Sequence, residues 1–157
     1  MKKILITLVL FFGSITSISA EIKRIISGNE NAKITIIAYE SLTCSHCADF
    51  HKNIYPQLKK EYVDTGLAKI EFRHFPLDIA AFNASKIVQC KNDQSLEILE
   101  SLYSNQQAWV KGNTVEDVNN NLKKFVKEEL VLDEKHKKVN KQTFILLCKF
   151  VTKNDVG

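Results

Sequence analysis

The chain has 157 residues, 45% of them hydrophobic, which suits one domain with a buried core. Its 22 basic and 18 acidic residues are interspersed and leave a net charge of +4, so the basic stripe that nucleic acid binding needs is absent. Four cysteines, Cys44, Cys47, Cys90 and Cys148, make redox chemistry and cellular compartment the first questions.

In chain order, Lys2 and Lys3 precede an apolar run, Ile4 to Phe12, and the small residues of Ser17 to Ala20. This layout predicts a secretory signal peptide over residues 1–20, cut after Ser19 or Ala20. The run is too short for a hydrocarbon core, which needs about 20 residues, so an N-terminal anchor is the weaker reading. Export to an oxidising compartment would let an even number of cysteines form disulfides. The rest, residues 21–157, reads as one domain.

Glu21 to Ile26 is expected as a short edge strand, followed by the turn cluster Ser27-Gly28-Asn29-Glu30-Asn31. Lys33 to Tyr39 is β-branched and only half alternating, which predicts a central strand. After it, Phe50, Ile54 and Leu58 lie four apart with Tyr55 and Tyr62 beside them, one face of a helix that Pro56 should kink and Gly66 should end. Leu67 to His74 predicts a second strand. Asp78 can cap a helix running to Cys90. Asp93 to Trp109 is helical by its leucine spacing, and Thr114-Val115-Glu116-Asp117 resembles a capping box with Asp for Glu. Glu134 to Gly157 is lysine-rich and then apolar at Phe144 to Val151, a final strand or a final helix.

Cys44 and Cys47 stand where the first core strand hands over to a helix. Unpaired N–H groups and the partial positive charge of a helix N-terminus favour a thiolate. Cys44 is expected in the first turn as the exposed nucleophile, with Cys47, one turn on, as the buried resolving partner. His46 between them, if cationic, would stabilise the thiolate further; dithiols of this kind have pKa values of roughly 3.5–7.5. A stabilised thiolate leaves well and makes the disulfide form an oxidant. Such exchange calls for no cofactor and no metal. Two other readings stay open: a structural disulfide, and a metal site made of Cys44, His46, Cys47 and His51. Glu40 is either a proton relay to Cys47 or a solvated strand end.

A strand followed by Cys44-Ser45-His46-Cys47 opening a helix resembles the DsbA-like thiol-disulfide oxidoreductases of the thioredoxin superfamily. The likeness runs from Gly28 to about Asp133. It takes in Gly28-Asn29-Glu30-Asn31-Ala32, Glu61-Tyr62-Val63-Asp64-Thr65-Gly66 and Phe72-Arg73-His74-Phe75-Pro76-Leu77-Asp78. The family often has Pro where this chain has Ser45. The resemblance implies an α/β thioredoxin-like fold with a helical insertion at about 78–131 and a periplasmic location. It implies reduced exported proteins as substrates and a quinone-linked membrane oxidase as the partner for reoxidation. Some members bridge the insertion, so Cys90 pairs with Cys148 or the two are unrelated. The family then returns to a cis-proline loop, two more strands and a closing helix. Pro56 and Pro76 both precede the insertion, so the expectation is a truncated member lacking the C-terminal strands of the sheet, either active or a catalytically weak remnant.

Overall fold

The computed structural model describes residues 22–90, 94 and 96–130. The signal peptide expected at 1–20, the tail at 134–157 and Cys148 lie outside the described residues. The described strands are β1 (Ile25–Ser27), β2 (Ile34–Glu40) and β3 (Ala68–His74). They form a sheet in the order β1-β3-β2, with β1 antiparallel and β2 parallel to β3. β1 is the expected edge strand, but it is shorter than Glu21 to Ile26, running only from Ile25 to Ser27.

Gly28 ends β1 at φ +102, a backbone conformation in which L side chains are strained. A Cβ there would lie 2.7 Å from Val63 Cγ1 and 3.2 Å from the Ala68 carbonyl, so glycine is required by space as well as by φ.

A long helical segment connects β2 to β3. It comprises α1 (Ser45–Asp49), a π-helical turn (Phe50–Ile54), α2 (Tyr55–Leu58) and a second π-helical turn (Lys59–Val63). The sequence pattern puts Phe50, Ile54 and Leu58, with Tyr55 and Tyr62 beside them, on one face; Tyr55 is buried, but Ile54 and Tyr62 are exposed, and Phe50 and Leu58 are only partly buried. The buried residues are His51, Tyr55 and Val63, on a row that continues the partly buried Cys47. That row has a spacing of four, which in a regular α-helix drifts by about 40° per step. The wider π turns absorb the drift and keep the row against the sheet. Pro56 falls two residues after the first π turn, which closes with the Tyr55 N–H reaching back to the Phe50 carbonyl. Tyr55 also donates its hydroxyl to Ser27 Oγ at 2.8 Å, tying the segment to β1.

The insertion follows β3 as α3 (Ile79–Gln89), α4 (Glu97–Ser104), α5 (Gln106–Trp109) and α6 (Val115–Phe125), the last running into a π-helical turn (Val126–Leu130). Asp78 caps α3 as expected, accepting the Ala81 N–H at 2.7 Å. Thr114 and Asp117 form the expected capping box in both directions. The single helix predicted over Asp93–Trp109 is two, because Asn105 leaves helical geometry between them.

One core joins the layers: Ile70 and Phe72 from the sheet, Leu42 from the loop after β2, and Leu99, Leu102, Trp109 and Leu122 from the insertion. Each large apolar side chain buried this way contributes about 1.5–3 kcal/mol. Cys90, at the C-terminal end of α3, is disulfide-bonded; whether it pairs with Cys148 lies outside the described residues. No helix among the described residues is long and apolar enough to cross a membrane.

Candidate active site

β2 delivers the chain to the dithiol. Inward-facing Ile36 and Ala38 lead to buried Glu40, and Ser41 to Thr43 turn into the helix. The turn closes when the Cys44 N–H donates to the Ser41 carbonyl at 3.0 Å. Cys44 is the N-cap of α1, with extended backbone at φ −77 and ψ 121, one residue earlier than the first turn expected from sequence.

That position matters for its sulfur. An N-cap side chain lies ahead of the unpaired first-turn amides. No conventional side-chain cap hydrogen bond closes here. The Cys44 thiol is nevertheless held below its ordinary range, chiefly by the backbone N–H of Cys47. Burial opposes this, while the Cys47 thiol and the His46 N–H add to it. Cys47 is pushed the other way, first by burial, with the charges of Cys44 and Glu40 adding to it and a backbone group at Ser41 opposing. Both cysteines are free thiols. The pair is therefore polarised, with an acidic thiol at the helix end and a protonated one behind it.

His46 is exposed, and its effect on Cys44 runs through its backbone amide. Its ring lines a depression of about 260 Å³ with Ala38, Tyr39, Glu40, Cys47 and Phe50, along the side of β2 away from β3.

Behind Cys47 lies a buried acid–base pair. Glu40 is 5% exposed and His51 9%. His51 Nε2 is 3.0 Å from both carboxylate oxygens of Glu40. An ionised carboxylate only accepts, so Nε2 is the donor. The imidazole stacks on Tyr103 at 4.2 Å and packs against Phe72 at 5.3 Å. Tyr103 is strongly raised, first by burial and then by the Glu40 charge. Glu40 is thus no solvated strand end. His51, one of the four residues of the metal reading, is committed to Glu40, and among the described residues no group of three or more His, Cys, Asp and Glu could hold a metal ion.

The insertion grips the loop before the dithiol. Thr43 Oγ1 donates to Asp78 at 2.6 Å, the carboxylate that also caps α3. The Leu77 N–H donates to Ser41 Oγ at 3.3 Å. Gln106 Nε2 donates to the carbonyls of Leu42 and Cys44, each at 2.9 Å. The sequence pattern singled out neither Gln106 nor the Glu40–His51 pair. The signal for His51 was its spacing of four from Cys47; Gln106 had none, because its partners are backbone atoms more than sixty positions away.

The sequence model of the thioredoxin family matches residues 20–153. A Rickettsia bellii protein provisionally named a protein-disulfide oxidoreductase is 34% identical over 88 residues, which cover 55% of this chain and 34% of that protein. The chain thus spans about a third of the length of the curated Rickettsia relatives it matches. Among solved structures, α-DsbA1 of Wolbachia pipientis superposes with a TM-score of 0.60 at 25% identity, covering 85% of this chain and 68% of that one. A protein-disulfide isomerase of Novosphingobium aromaticivorans gives a TM-score of 0.60 at 17% identity, covering 88% and 84%, a likeness of fold.

Proposed function

This chain belongs to the thioredoxin family, with DsbA-like proteins among its relatives, and from that premise we propose that it oxidises thiols in exported proteins through Cys44 and Cys47. The observation that carries the reading is the opposite polarisation of two cysteines one helical turn apart.

In the oxidised protein Cys44 and Cys47 share a disulfide. A substrate thiolate attacks Cys44 Sγ, the sulfur at the helix end. The Cys44–Cys47 bond breaks, and Cys47 leaves with the electron pair and takes up a proton, the form its burial favours. A second substrate thiolate then attacks the substrate sulfur of the mixed disulfide. Cys44 departs as a thiolate, stabilised by the amides of Cys47 and His46. Two electrons have entered the protein, and the substrate holds a new disulfide. A leaving thiol of low pKa makes the second step fast and the overall exchange favour oxidation of substrate.

Phe75 and Leu77, on the loop pinned to residues 41–43, and Ile79, which opens α3, are exposed apolar residues that suit contact with an unfolded polypeptide. His46 tunes the thiolate through its backbone N–H, while its exposed ring lines the depression beside Cys47. The signal peptide at 1–20 places the work in the periplasm, and a quinone-linked membrane oxidase would restore the disulfide.

The test is oxidation of a reduced, unfolded substrate by stoichiometric oxidised protein. Wild type should restore native disulfides, and Cys44→Ala should lose this by at least about a hundredfold, because no sulfur remains at the helix end. Equal rates for the two proteins would end the assignment.

A further inference from the structure

Gln106 opens α5 and is 7% exposed. Its Nε2 donates both of its hydrogens, one to the carbonyl of Leu42 and one to that of Cys44, each at 2.9 Å. These carbonyls flank Thr43, and the second belongs to the nucleophile itself. The Cys44 carbonyl also accepts the Ala48 N–H at 3.2 Å, the bond that begins α1. One side-chain amide therefore fixes the peptide groups on both sides of the turn into the dithiol.

The amide is itself held from behind. Asn105, at φ −112 and ψ 19, breaks the helix between α4 and α5, and its Nδ2 donates to the Ser101 carbonyl at 2.9 Å. Trp109, fully buried, donates Nε1 to the Leu102 carbonyl at 3.0 Å. The Val110 N–H closes α5 on the Gln106 carbonyl at 2.7 Å. A buried side chain on an anchored backbone has one reach, and this one ends at the two loop carbonyls.

We propose that Gln106 is a positioning residue for Cys44, clamping the 42–44 backbone from the helical insertion so that the first-turn amides of α1 stay aimed at the sulfur. The inference rests on the reading of Cys44 as nucleophile. Its geometric basis is the extended ψ of 121 at Cys44, which sets how the following peptide planes point. Without Gln106 the Cys44 carbonyl keeps only the Ala48 N–H and the Leu42 carbonyl loses its side-chain donor, which loosens that rotation and lets the amides of His46 and Cys47 drift from the sulfur they stabilise.

The test titrates Cys44 by thiolate absorbance in the full chain carrying Cys47→Ala, with a Cys44→Ala/Cys47→Ala chain subtracted. Gln106→Met keeps the length and removes the donors. On the acid side of the titration it is expected to hold about fivefold less thiolate, the worth of about one hydrogen bond, with an unchanged circular dichroism spectrum. Trp109→Phe, which removes the Leu102 bond within the same insertion, should lower stability and leave the Cys44 titration in place. An unmoved titration in Gln106→Met, or an equal shift in Trp109→Phe, overturns the proposal. Should Gln106→Met not fold, the side-chain amide protons of Gln106 are read by NMR in the Cys47→Ala chain. Slow solvent exchange and a shift that follows the Cys44 titration support the clamp, and fast exchange with no such dependence refutes it. None of these readouts needs substrate. A wild type that oxidises no substrate would fell the proposed function alone, and an active wild type with an unmoved titration would fell the clamp alone.

Discussion

Cys44 and Cys47 are separated by one helical turn but meet opposite environments. Cys44 caps the helix and faces amides, while Cys47 faces the core, the Cys44 sulfur and the Glu40 charge. The motif in the sequence implied this division, because a cysteine at a helix N-terminus meets unpaired amides and one further into the helix does not. The sequence could not supply the acid–base pair behind Cys47, since Glu40 and His51 meet only after β2 and the long helix pack. A second, partly buried histidine leads to a prediction. His74 ends β3 in register with Glu40, and its buried Nε2 has no hydrogen-bond partner. Burial lowers its pKa from 6.5 to about 4. The native ring resists a proton that the unfolded chain accepts, so stability is full above pH 6.5 and lost as pH falls through 4. The full effect is about 3 kcal/mol. In urea unfolding at pH 7 and pH 4.5, His74→Gln should lose distinctly less stability on acidification than wild type.

Among the elements, the long helical segment departs most from its sequence pattern. Phe50, Ile54 and Leu58 look like the buried face because apolar residues at a spacing of four read as a helix stripe. The π turns move the inner row to Cys47, His51, Tyr55 and Val63, three of which are polar or titratable. Periodicity assumes one helix type throughout, so it misplaces a face where the type changes. The caps fared better, because Asp78 and Thr114 act on neighbours within three residues. His51 is the point where this helix meets β2 through a hydrogen bond as well as packing. His51→Leu would leave the Glu40 carboxylate buried without its donor, at a cost of about 3–5 kcal/mol. Glu40→Gln added to His51→Leu should recover a substantial part of that loss. Chemical denaturation of the three variants reads this directly; additive losses would mean that the pair does not act as a unit.

For the whole molecule, both the sheet and the helical insertion were legible as α/β with an inserted helical layer, since strands and caps are local features. The described sheet gives β2 a single neighbour, β3, and leaves Ile37 and Tyr39 exposed. The predicted Phe144–Val151 segment lies outside the described residues. What joins the two layers at the site, the hydrogen bonds of Asp78 and Gln106 to the 42–44 loop, is long-range and invisible to any local pattern. The polarised dithiol also has a molecular consequence. In the reduced protein the folded Cys44 pKa lies below its unfolded value, so its contribution to stability is present above the unfolded thiol pKa and lost as pH falls through the folded one. Cys47 is raised, and its contribution changes only as pH climbs above the unfolded value. The oxidised protein titrates neither thiol. The stability of the reduced form relative to the oxidised form should therefore shrink as pH falls below the unfolded thiol pKa and level off once pH is below the folded Cys44 pKa, as read from paired denaturation curves.

The central claim is that Cys44 meets substrate and Cys47 resolves. Cys47→Ala, mixed with a disulfide-activated peptide and mapped by mass spectrometry, should trap the peptide on Cys44 rapidly at neutral pH. Cys44→Ala under the same conditions should trap little on Cys47. Equal trapping on both sulfurs, or a preference for Cys47, would contradict the account.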